Sequence, residues 1–157
     1  MAKPRSERSG RARSLSRRLA LQALYQWQMT GHSLAELRNQ YTQDEGYPEV
    51  DPEYFQALVQ GVVEGATALD ELLGQWIDRP VAQLDPVEHA VLLIGIEELR
   101  LHVDVPYRVV LNEGVELAKK FGATDGHKFI NAVLDRAARQ LRAAEQQAAA
   151  RQGKSRD

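Results

Sequence analysis

Apolar residues recur along most of this chain at three- and four-residue steps, the spacing that gives an α-helix one apolar face. In the first such stretch they are Leu15, Leu19, Ala20, Ala23, Leu24 and Trp27. A longer stripe runs from Phe55 to Trp76, and three more follow it. No segment of comparable length alternates apolar and polar residues between turns, as a strand would. The pattern therefore predicts an all-α fold, a compact bundle of six to seven helices.

Residues that start and stop helices divide this pattern. Gly31 ends the first helix, and Ser33 with Glu36 has the capping-box spacing that begins a short second one. Later helices begin at an N-cap residue or a proline, namely at Asp51-Pro52, Asp85-Pro86, Val105-Pro106 and Asp125. The loop near residues 78–84 is expected to separate two helical subdomains, about 14–80 and 81–142.

Two glycines interrupt the long stripe between residues 52 and 77. Gly61 and Gly65 lie four residues apart on one helix face, and each costs about 1 kcal/mol relative to alanine. They indicate either close packing against another helix or a break between two helices.

The net charge of −2 conceals a strong asymmetry along the chain. Residues 1–18 carry +6 and residues 136–157 carry +4, which leaves −12 for the part between them. Residues 1–13 have no apolar period and are expected to form a disordered basic arm, and residues 143–157 a disordered basic tail. Residues 14–142 then form a single helical domain. An acidic body with basic ends indicates an anionic polymer as one partner and a different molecule as another.

Composition and motifs argue against most other kinds of site. The chain has no cysteine, which excludes disulfides and thiolate chemistry and fits a cytoplasmic location. Its apolar runs are too short to span a membrane, and no apolar segment follows the basic N-terminus as in a signal peptide. The four histidines are scattered, so neither a metal nor any other cofactor is expected. Phosphate loops, nucleophile elbows and dinucleotide fingerprints are missing as well, so the chain is not expected to be an enzyme.

The basic start of the first helix is the feature that indicates a function. Its four arginines run directly into the amphipathic stretch: Arg11, Arg13, Arg17 and Arg18. At least the last two are held on a rigid helical turn. Arginine makes bidentate contacts with phosphate and stacks on bases, so these residues predict binding to RNA. Insertion of a helix into the DNA major groove is less well supported, because no helix-turn-helix spacing with a polar recognition face is visible.

Three motifs follow one another between about residue 11 and residue 142. The first is Arg17-Arg18-x-Ala20-x-Gln22-Ala23-Leu24-Tyr25. The second runs from Asp104-Val-Pro-Tyr107 to Asn112-Glu113-x-Val115-Glu116-Leu117-Ala118-Lys119-x-Phe121-Gly122, and the third is Asp125-x-His127-Lys128-Phe129-Ile130-Asn131-x-Val133-Leu134-Asp135. In these motifs the sequence resembles the bacterial transcription antitermination factors of the NusB family. It departs from the family pattern at three positions: Gly114, where alanine is usual, Ala132, where glycine is common, and Glu97, where tyrosine is common.

The resemblance implies an all-α fold of two helical subdomains and a role in transcription antitermination. It also implies a heterodimer with the ribosomal protein also called NusE. That pair would bind the single-stranded boxA element of ribosomal RNA leader transcripts and support the transcription and maturation of ribosomal RNA. The RNA polymerase antitermination complex would be an indirect partner, and neither a membrane nor a small-molecule substrate would be involved.

The resemblance further implies which residues meet the RNA and the partner. Matched by position, Arg13 and Arg17 would contact the RNA backbone, and the RNA surface near the partner would be lined by Tyr25, Asp125, Lys128 and Phe129. Arg11 and Arg18 join them from the basic start of the first helix, and Glu88 would face the partner. Simpler structural roles remain open for five of these residues: core packing for Tyr25 and Phe129, helix capping for Asp125 and Glu88, and plain surface for Lys128.

Two other functions fit the same sequence. A similar helical module serves as an RNA-binding accessory domain of ribosomal RNA cytosine methyltransferases, although this chain ends before any cofactor-binding domain. Alternatively, the helical body could act as a protein–protein adaptor with incidental basic ends. RNA retention with and without residues 1–18 separates the adaptor from the RNA-binding protein.

Overall fold

A computed structural model describes residues 5–155 of the chain and the side chains of residues 10–152. Within residues 5–155 it contains seven α-helices and no strand. The helices are α1 (Arg5–Thr30), α2 (Leu34–Tyr41), α3 (Pro52–Gly74), α4 (Pro86–Leu101), α5 (Tyr107–Phe121), α6 (Gly126–Leu141) and α7 (Ala143–Ser155). Short 3-10 turns lie at Tyr47–Glu49 and Val81–Gln83. The predicted all-α fold is confirmed.

Helix α4 lies at the centre of the bundle and packs against α1, α3, α5 and α6. Every residue from Ala90 to Leu99 is buried. A helix that is apolar on all sides is stable only when other helices surround it, which accounts for the unbroken apolar run at 90–96. Its start lies where the sequence predicted it, because the carboxylate of Asp85 accepts hydrogen bonds from the backbone N–H groups of Val87 and Glu88.

Two glycines allow α4 and α5 to approach α6 closely. A Cβ atom added to Gly95 would lie 2.7 Å from Cδ2 of Leu134, and one added to Gly114 would lie 2.7 Å from Cδ1 of the same side chain. Leu134 is fully buried, so it fills the space that both glycines leave. The departure from the family pattern at Gly114 is therefore a packing adjustment around Leu134.

Helix α3 is a single helix, so close packing is the correct explanation for Gly61. A Cβ atom on Gly61 would lie 2.9 Å from Cδ of Glu97 on α4. Gly65 is less crowded, since its added Cβ would lie 3.5 Å from the nearest atom, Nη2 of Arg100. The glycine at position 61 thus lets a buried glutamate of α4 lie against the backbone of α3.

The start of α1 differs from the expectation, because residues 5–13 are helical where a disordered arm was predicted. The loop before α3 holds this segment in place. The hydroxyl of Ser16 donates to the carbonyl of Ala12 at 2.8 Å, and the backbone N–H of Asp51 donates to Ser16 Oγ at 2.9 Å. Such contacts join residues 35 positions apart, so a local pattern does not reveal them. Residues 1–4 of the predicted arm lie outside the described residues.

The C-terminal segment is also helical where a disordered tail was predicted, since α7 extends to Ser155. The buried guanidinium of Arg142 donates to four carbonyl oxygens at and beyond the end of α4, those of Glu98, Leu99, His102 and Val105. Arg142 also pairs with Glu145 on α7 at 2.6 Å. Glu145 in turn accepts the backbone N–H of Tyr107 at 2.9 Å. The tail therefore begins from a fixed point, and residues 156–157 lie outside the described part.

The division into two subdomains near residue 80 stays a prediction. The buried side chains of α1 to α6 form one continuous cluster, and α1 packs against α4 as well as against α3.

Candidate nucleic-acid interface

Arg17 lies in the interior, although the sequence placed it among the RNA-binding arginines. Its side chain is 3% exposed and pairs at 2.9 Å with Glu98, which is 1% exposed. Its Nη1 lies 3.5 Å from Oε1 of Glu113, and the hydroxyl of Tyr54 donates to Glu98. The RNA contact of Arg17 stays a prediction, and the described structure does not favour it, because the guanidinium faces carboxylates inside the protein.

The contacts in this buried cluster favour the charged form of Arg17 and the neutral form of Tyr54. Burial by itself would lower the pKa of Arg17, but the hydrogen bond to Glu98 and the nearby negative groups outweigh it and raise that pKa. Burial and the charge of Glu98 raise the pKa of Tyr54. Arg17 is therefore a cation and Tyr54 a neutral hydrogen-bond donor over the whole physiological range.

The sequence does contain a signal for this burial. Arg17 lies four and seven positions before Leu21 and Leu24, which places it on the inward face of α1. Glu97 and Glu98 directly continue the apolar run of α4. A buried carboxylate needs a cation beside it, so an inward arginine and an inward glutamate predict a pair.

Arg13 is partly buried and already paired with carboxylates. Its Nη1 lies 3.2 Å from Oδ2 of Asp104, and its Nε lies 3.9 Å from Oδ2 of Asp51. Its guanidinium lies 4.6 Å from the ring centroid of Tyr54. Desolvation acts to raise the pKa of Asp104, but the hydrogen bond and charge of Arg13 together lower it. An RNA phosphate that binds Arg13 therefore competes with Asp104.

Arg11 and Arg18 present their charges toward solvent. Arg11 is exposed, and the guanidinium of Arg18 lies 5.2 Å from the ring centroid of Phe121. Arg18 lines a cleft between α1 and the C-terminal end of α5, where Lys119 and Lys120 also lie. These groups lie where an anionic ligand can reach them.

Tyr25 lies on the wall of an open apolar groove of about 490 Å³. Other walls come from Met29 of α1, Val87 of α4 and Phe121 of α5. Tyr25 is 41% exposed and Met29 is 58% exposed. Tyr25 is therefore a surface residue rather than part of the core, and it is accessible to a ligand.

Glu88 follows Val87 and lies against the first residue of α6. A Cβ atom on Gly126 would lie 2.6 Å from Oε1 of Glu88, so the glycine leaves the space that this carboxylate fills. Partial burial and the charge of Asp85 raise the pKa of Glu88, against the opposite effect of Arg79. Glu88, which was predicted to face the partner, thus touches the start of α6, where the predicted RNA-binding residues Lys128 and Phe129 lie.

Asp125 and Lys128 lie at the start of α6. Asp125 has a left-handed backbone with φ of 63°, and its side chain makes no capping hydrogen bond, so the predicted side-chain cap is wrong. Its carboxylate lies 3.6 Å from Nζ of Lys128, and both side chains are largely exposed. A non-glycine residue with this backbone is uncommon and often marks a functional position.

Phe129 is half-buried, and the guanidinium of Arg79 lies 4.5 Å from its ring centroid. Both residues line a cavity of about 320 Å³ together with Trp76 and Arg136. Arg136 donates to the backbone carbonyl of Trp76 at 2.8 Å. The sequence alone did not assign Trp76, Arg79 or Arg136 to this surface. Trp76 and Arg79 follow α3 and Arg136 lies on α6, so only the fold brings the three together.

Two groups of cations and aromatic rings therefore lie on the surface, and the first of them shares Phe121 with the apolar groove. We name them the α1–α5 patch (Arg18, Lys119, Lys120 and Phe121) and the α6 patch (Arg79, Phe129 and Arg136). Arg11 and Lys128 are exposed cations on the same helices, α1 and α6. Cations that bind phosphates beside rings that stack with bases suit single-stranded nucleic acid. Among the side chains that the structure describes, no group of three or more histidine, aspartate or glutamate residues could hold a metal ion. No described helix is long and apolar enough to cross a membrane.

Comparison with known proteins identifies the family. The model of the NusB family matches residues 14–139, which is most of the chain. The chain belongs to the NusB family. The match includes α2 to α5, the part of α1 that packs in the core, and α6 as far as Arg139.

Relatives in the NusB family are similar over most of their length. The transcription antitermination protein NusB of Hahella chejuensis is 49% identical over 137 residues, which cover 87% of this chain and 92% of the relative. The protein of the same name from Pseudomonas entomophila is 52% identical over 130 residues, which cover 83% of this chain and 78% of the relative. The family is thus one of transcription antitermination factors.

Solved NusB structures share the helical fold. NusB of T. maritima matches with a TM-score of 0.73 and 25% identity, over 89% of this chain and 94% of that one. A chain in a crystal structure of the antitermination factors NusB and NusE with double-stranded RNA matches with a TM-score of 0.68 and 25% identity, over 81% of this chain and 96% of that one. The predicted family membership and the NusB-like fold are confirmed.

Proposed function

We propose that this chain is an RNA-binding transcription antitermination factor that binds the boxA element of ribosomal RNA leader transcripts together with the ribosomal protein NusE. The observation that supports this most strongly is the pair of basic and aromatic patches, one of which shares Phe121 with the apolar groove. Its relatives bear the name of transcription antitermination proteins, and a structural neighbour was crystallised with NusE and RNA. We infer that the chain works by binding rather than by catalysis, in the cytoplasm where transcription takes place.

The RNA-facing residues in this proposal are those whose side chains are exposed or half-buried at the surface. Arg11, Arg18 and Tyr25 lie on the α1 side, and Lys128 and Phe129 lie on the α6 side. Unpaired bases can stack on the rings and on the Arg18 guanidinium while cations meet the phosphates. Asp125 lies beside Lys128 at the edge of this surface and accepts hydrogen bonds from base edges or sugar hydroxyls.

The other two arginines of the basic segment have different roles. Arg17 is a positioning residue, because its pair with Glu98 fixes the turn of α1 that also carries Arg18. Arg13 contacts a phosphate only after leaving Asp104, 3.2 Å away. Because Arg13 and Arg17 are paired with carboxylates, the basic start of α1 offers fewer free cations to RNA than its sequence contains. The chain alone is therefore a weak RNA binder.

NusE is proposed to lie along the apolar groove next to Glu88. Exposed Met29 and Tyr25 offer apolar surface, and Glu88 with Asp85 gives the edge a negative charge. A basic surface on NusE would complement these carboxylates. The partner would extend the RNA-binding surface from the groove and raise the affinity for RNA.

A mobility-shift titration with a boxA RNA, a scrambled RNA of the same length, and each RNA with NusE tests this function. We expect weak binding by the chain alone and much tighter, boxA-selective binding in the presence of NusE. Equal affinity for both RNAs with NusE present would exclude boxA recognition. No binding to either RNA would favour a protein–protein adaptor.

A further inference from the structure

We propose that the last turn of α5 provides a phosphate-binding site for the RNA, formed by Lys120 and by Arg18, whose guanidinium lies over the ring of Phe121, with Lys119 as a neighbouring cation. The site extends the proposed function and rests on it. Neither lysine was among the predicted RNA-binding residues, because lysines at the end of a helix are common. They interact favourably with the negative end of the helix dipole whether or not a ligand is present.

Carboxylates already pair with two of the arginines on α1, so an RNA strand bound there requires cations from another element. Arg17 is neutralised by Glu98 and Glu113, and Arg13 is paired with Asp104 and Asp51. An RNA strand that follows α1 therefore finds two of the arginines already bound to carboxylates.

The cleft between α1 and α5 offers those cations. It has a volume of about 360 Å³, and its walls include Arg18, Lys119, Lys120 and Phe121. A second cavity of about 230 Å³ reaches Arg18 from the side of α1 that faces Asp44. The guanidinium of Arg18 is thus approachable while it lies over the ring of Phe121.

Two carboxylates also line the cleft, and each already has a partner. Glu113 accepts a hydrogen bond from Ser14 and lies 3.5 Å from Nη1 of Arg17. Glu116 lies 3.7 Å from Nζ of Lys119, whose side chain is 52% exposed. Lys120 is exposed, and no ion pair is recorded for it within the side chains that the structure describes. Lys120 and Arg18 therefore keep their positive charge available for a phosphate.

The position of Phe121 connects this cleft with the rest of the interface. The same ring lines the apolar groove in which Tyr25 lies. A single strand can therefore place a phosphate between Lys120 and Arg18 and its neighbouring base near Tyr25. The ligand of this site is the phosphodiester of a nucleotide next to the base-stacking position.

Removal of one charge at the end of α5 tests this site, with removal of one charge elsewhere as control. The variants are Lys120→Gln, the double variant Lys119→Gln/Lys120→Gln, and Arg38→Gln on α2, which is exposed and hydrogen-bonded to Gln60. Affinity for a fluorescent single-stranded boxA RNA is measured in the presence of NusE at several salt concentrations, with thermal unfolding of each variant as a check of the fold.

We expect Lys120→Gln to weaken binding about fourfold at 0.15 M salt and to reduce the log–log salt slope by about 0.7, as loss of one phosphate contact to a single strand requires. The double variant should lose more on both measures, and Arg38→Gln should match the wild type. If the wild type binds RNA and both lysine variants show the same affinity and salt slope, the phosphate site is overturned while the proposed function stands. Failure of the wild type to bind RNA would overturn the proposed function and this site with it.

Discussion

The guanidinium of Arg17 and the carboxylate of Glu98 join α1 to α4 in the interior of the bundle, with Tyr54 and Glu113 as further partners. A buried pair of this kind gains little net stability over apolar residues, but removal of one member leaves the other charge uncompensated. The arginine-rich start of α1 therefore contains residues of two kinds, structural ones that point inward and ligand-binding ones that point outward.

Arg17→Met is expected to lower the free energy of unfolding by about 3–5 kcal/mol, because Glu98 is then buried without its cation. Arg18→Met is the matched control at the next position, where the side chain is only partly buried, and a change of about 0.5 kcal/mol or less is expected. Urea unfolding of both variants measures the difference. Equal losses would mean that Arg17 is not the structural member of the pair.

Glu97 is a second buried carboxylate, and it makes the stability of the protein depend on pH. Its Oε2 has no hydrogen-bond partner among the described residues. Burial raises the pKa of Glu97, and the charges of Arg100 and His102 oppose this only in part. The folded chain thus holds this proton more tightly than the unfolded chain, so its contribution to stability is lost as pH rises through the raised pKa.

Glu97→Gln removes this titration while keeping the shape of the side chain. The variant is expected to be more stable than the wild type at pH 7, and the difference is expected to disappear as pH falls toward about 4, near the ordinary pKa of glutamate. Thermal unfolding of both proteins across this pH range measures it. A difference that does not change with pH would contradict the assignment to Glu97.

At the scale of the elements, the contact between α3 and α4 depends on the missing side chain of Gly61. An added Cβ would lie 2.9 Å from Cδ of Glu97 and 3.1 Å from each of its carboxylate oxygens. Gly74, in the last turn of the same helix, has nothing within 4 Å of an added Cβ. The two glycines therefore separate the effect of packing from the effect of helix propensity.

Gly61→Ala is expected to destabilise the protein by about 1–3 kcal/mol, since the buried Glu97 has to move. Gly74→Ala is expected to be neutral or stabilising by up to about 1 kcal/mol. Chemical denaturation of both variants compares them. Stabilisation by Gly61→Ala of the size expected for Gly74→Ala would show that the two helices do not approach as closely as the structure indicates.

The helices themselves could be predicted from the sequence, and their ends only in part. Capping residues and prolines fixed the starts of α2, α3 and α4, because these signals act within one turn of the chain. The start of α1 and the course of α7 depend on distant residues instead. The start of α1 is held by the hydrogen bond between Asp51 and Ser16. Helix α7 begins after Arg142, whose hydrogen-bond partners lie about 40 positions away.

The candidate site could be predicted to a similar degree. Basic residues and family motifs pointed to both sides of the interface, and Arg18, Tyr25 and Lys128 do lie on the surface. The inward direction of Arg17 and the approach of Arg79 to Phe129 follow from how helices pack together. Charge alone does not distinguish the inward arginine from the outward ones, and the contact of Arg79 with Phe129 joins residues 50 positions apart.

On the scale of the whole molecule, the chain has a net charge of −2, but its fold groups several cations into localised positive surfaces. The α1–α5 patch and the α6 patch each combine cations with an aromatic ring, and the apolar groove reaches the first through Phe121. Val87 lines the groove, and the next residue, Glu88, lies against Gly126 at the start of α6. A partner in the groove and an RNA on the patches would therefore touch each other, which explains why each should strengthen the binding of the other.

Amide chemical-shift mapping of the isotope-labelled chain during titration with boxA RNA in the presence of NusE tests the location of this interface most directly. We predict that addition of RNA to the preformed heterodimer shifts the amides around Arg18, Lys120 and Lys128, while those around Arg38 and Gln60 stay unchanged. RNA-dependent shifts confined to the α2–α3 face, with none at the ends of α5 or the start of α6, would contradict the account.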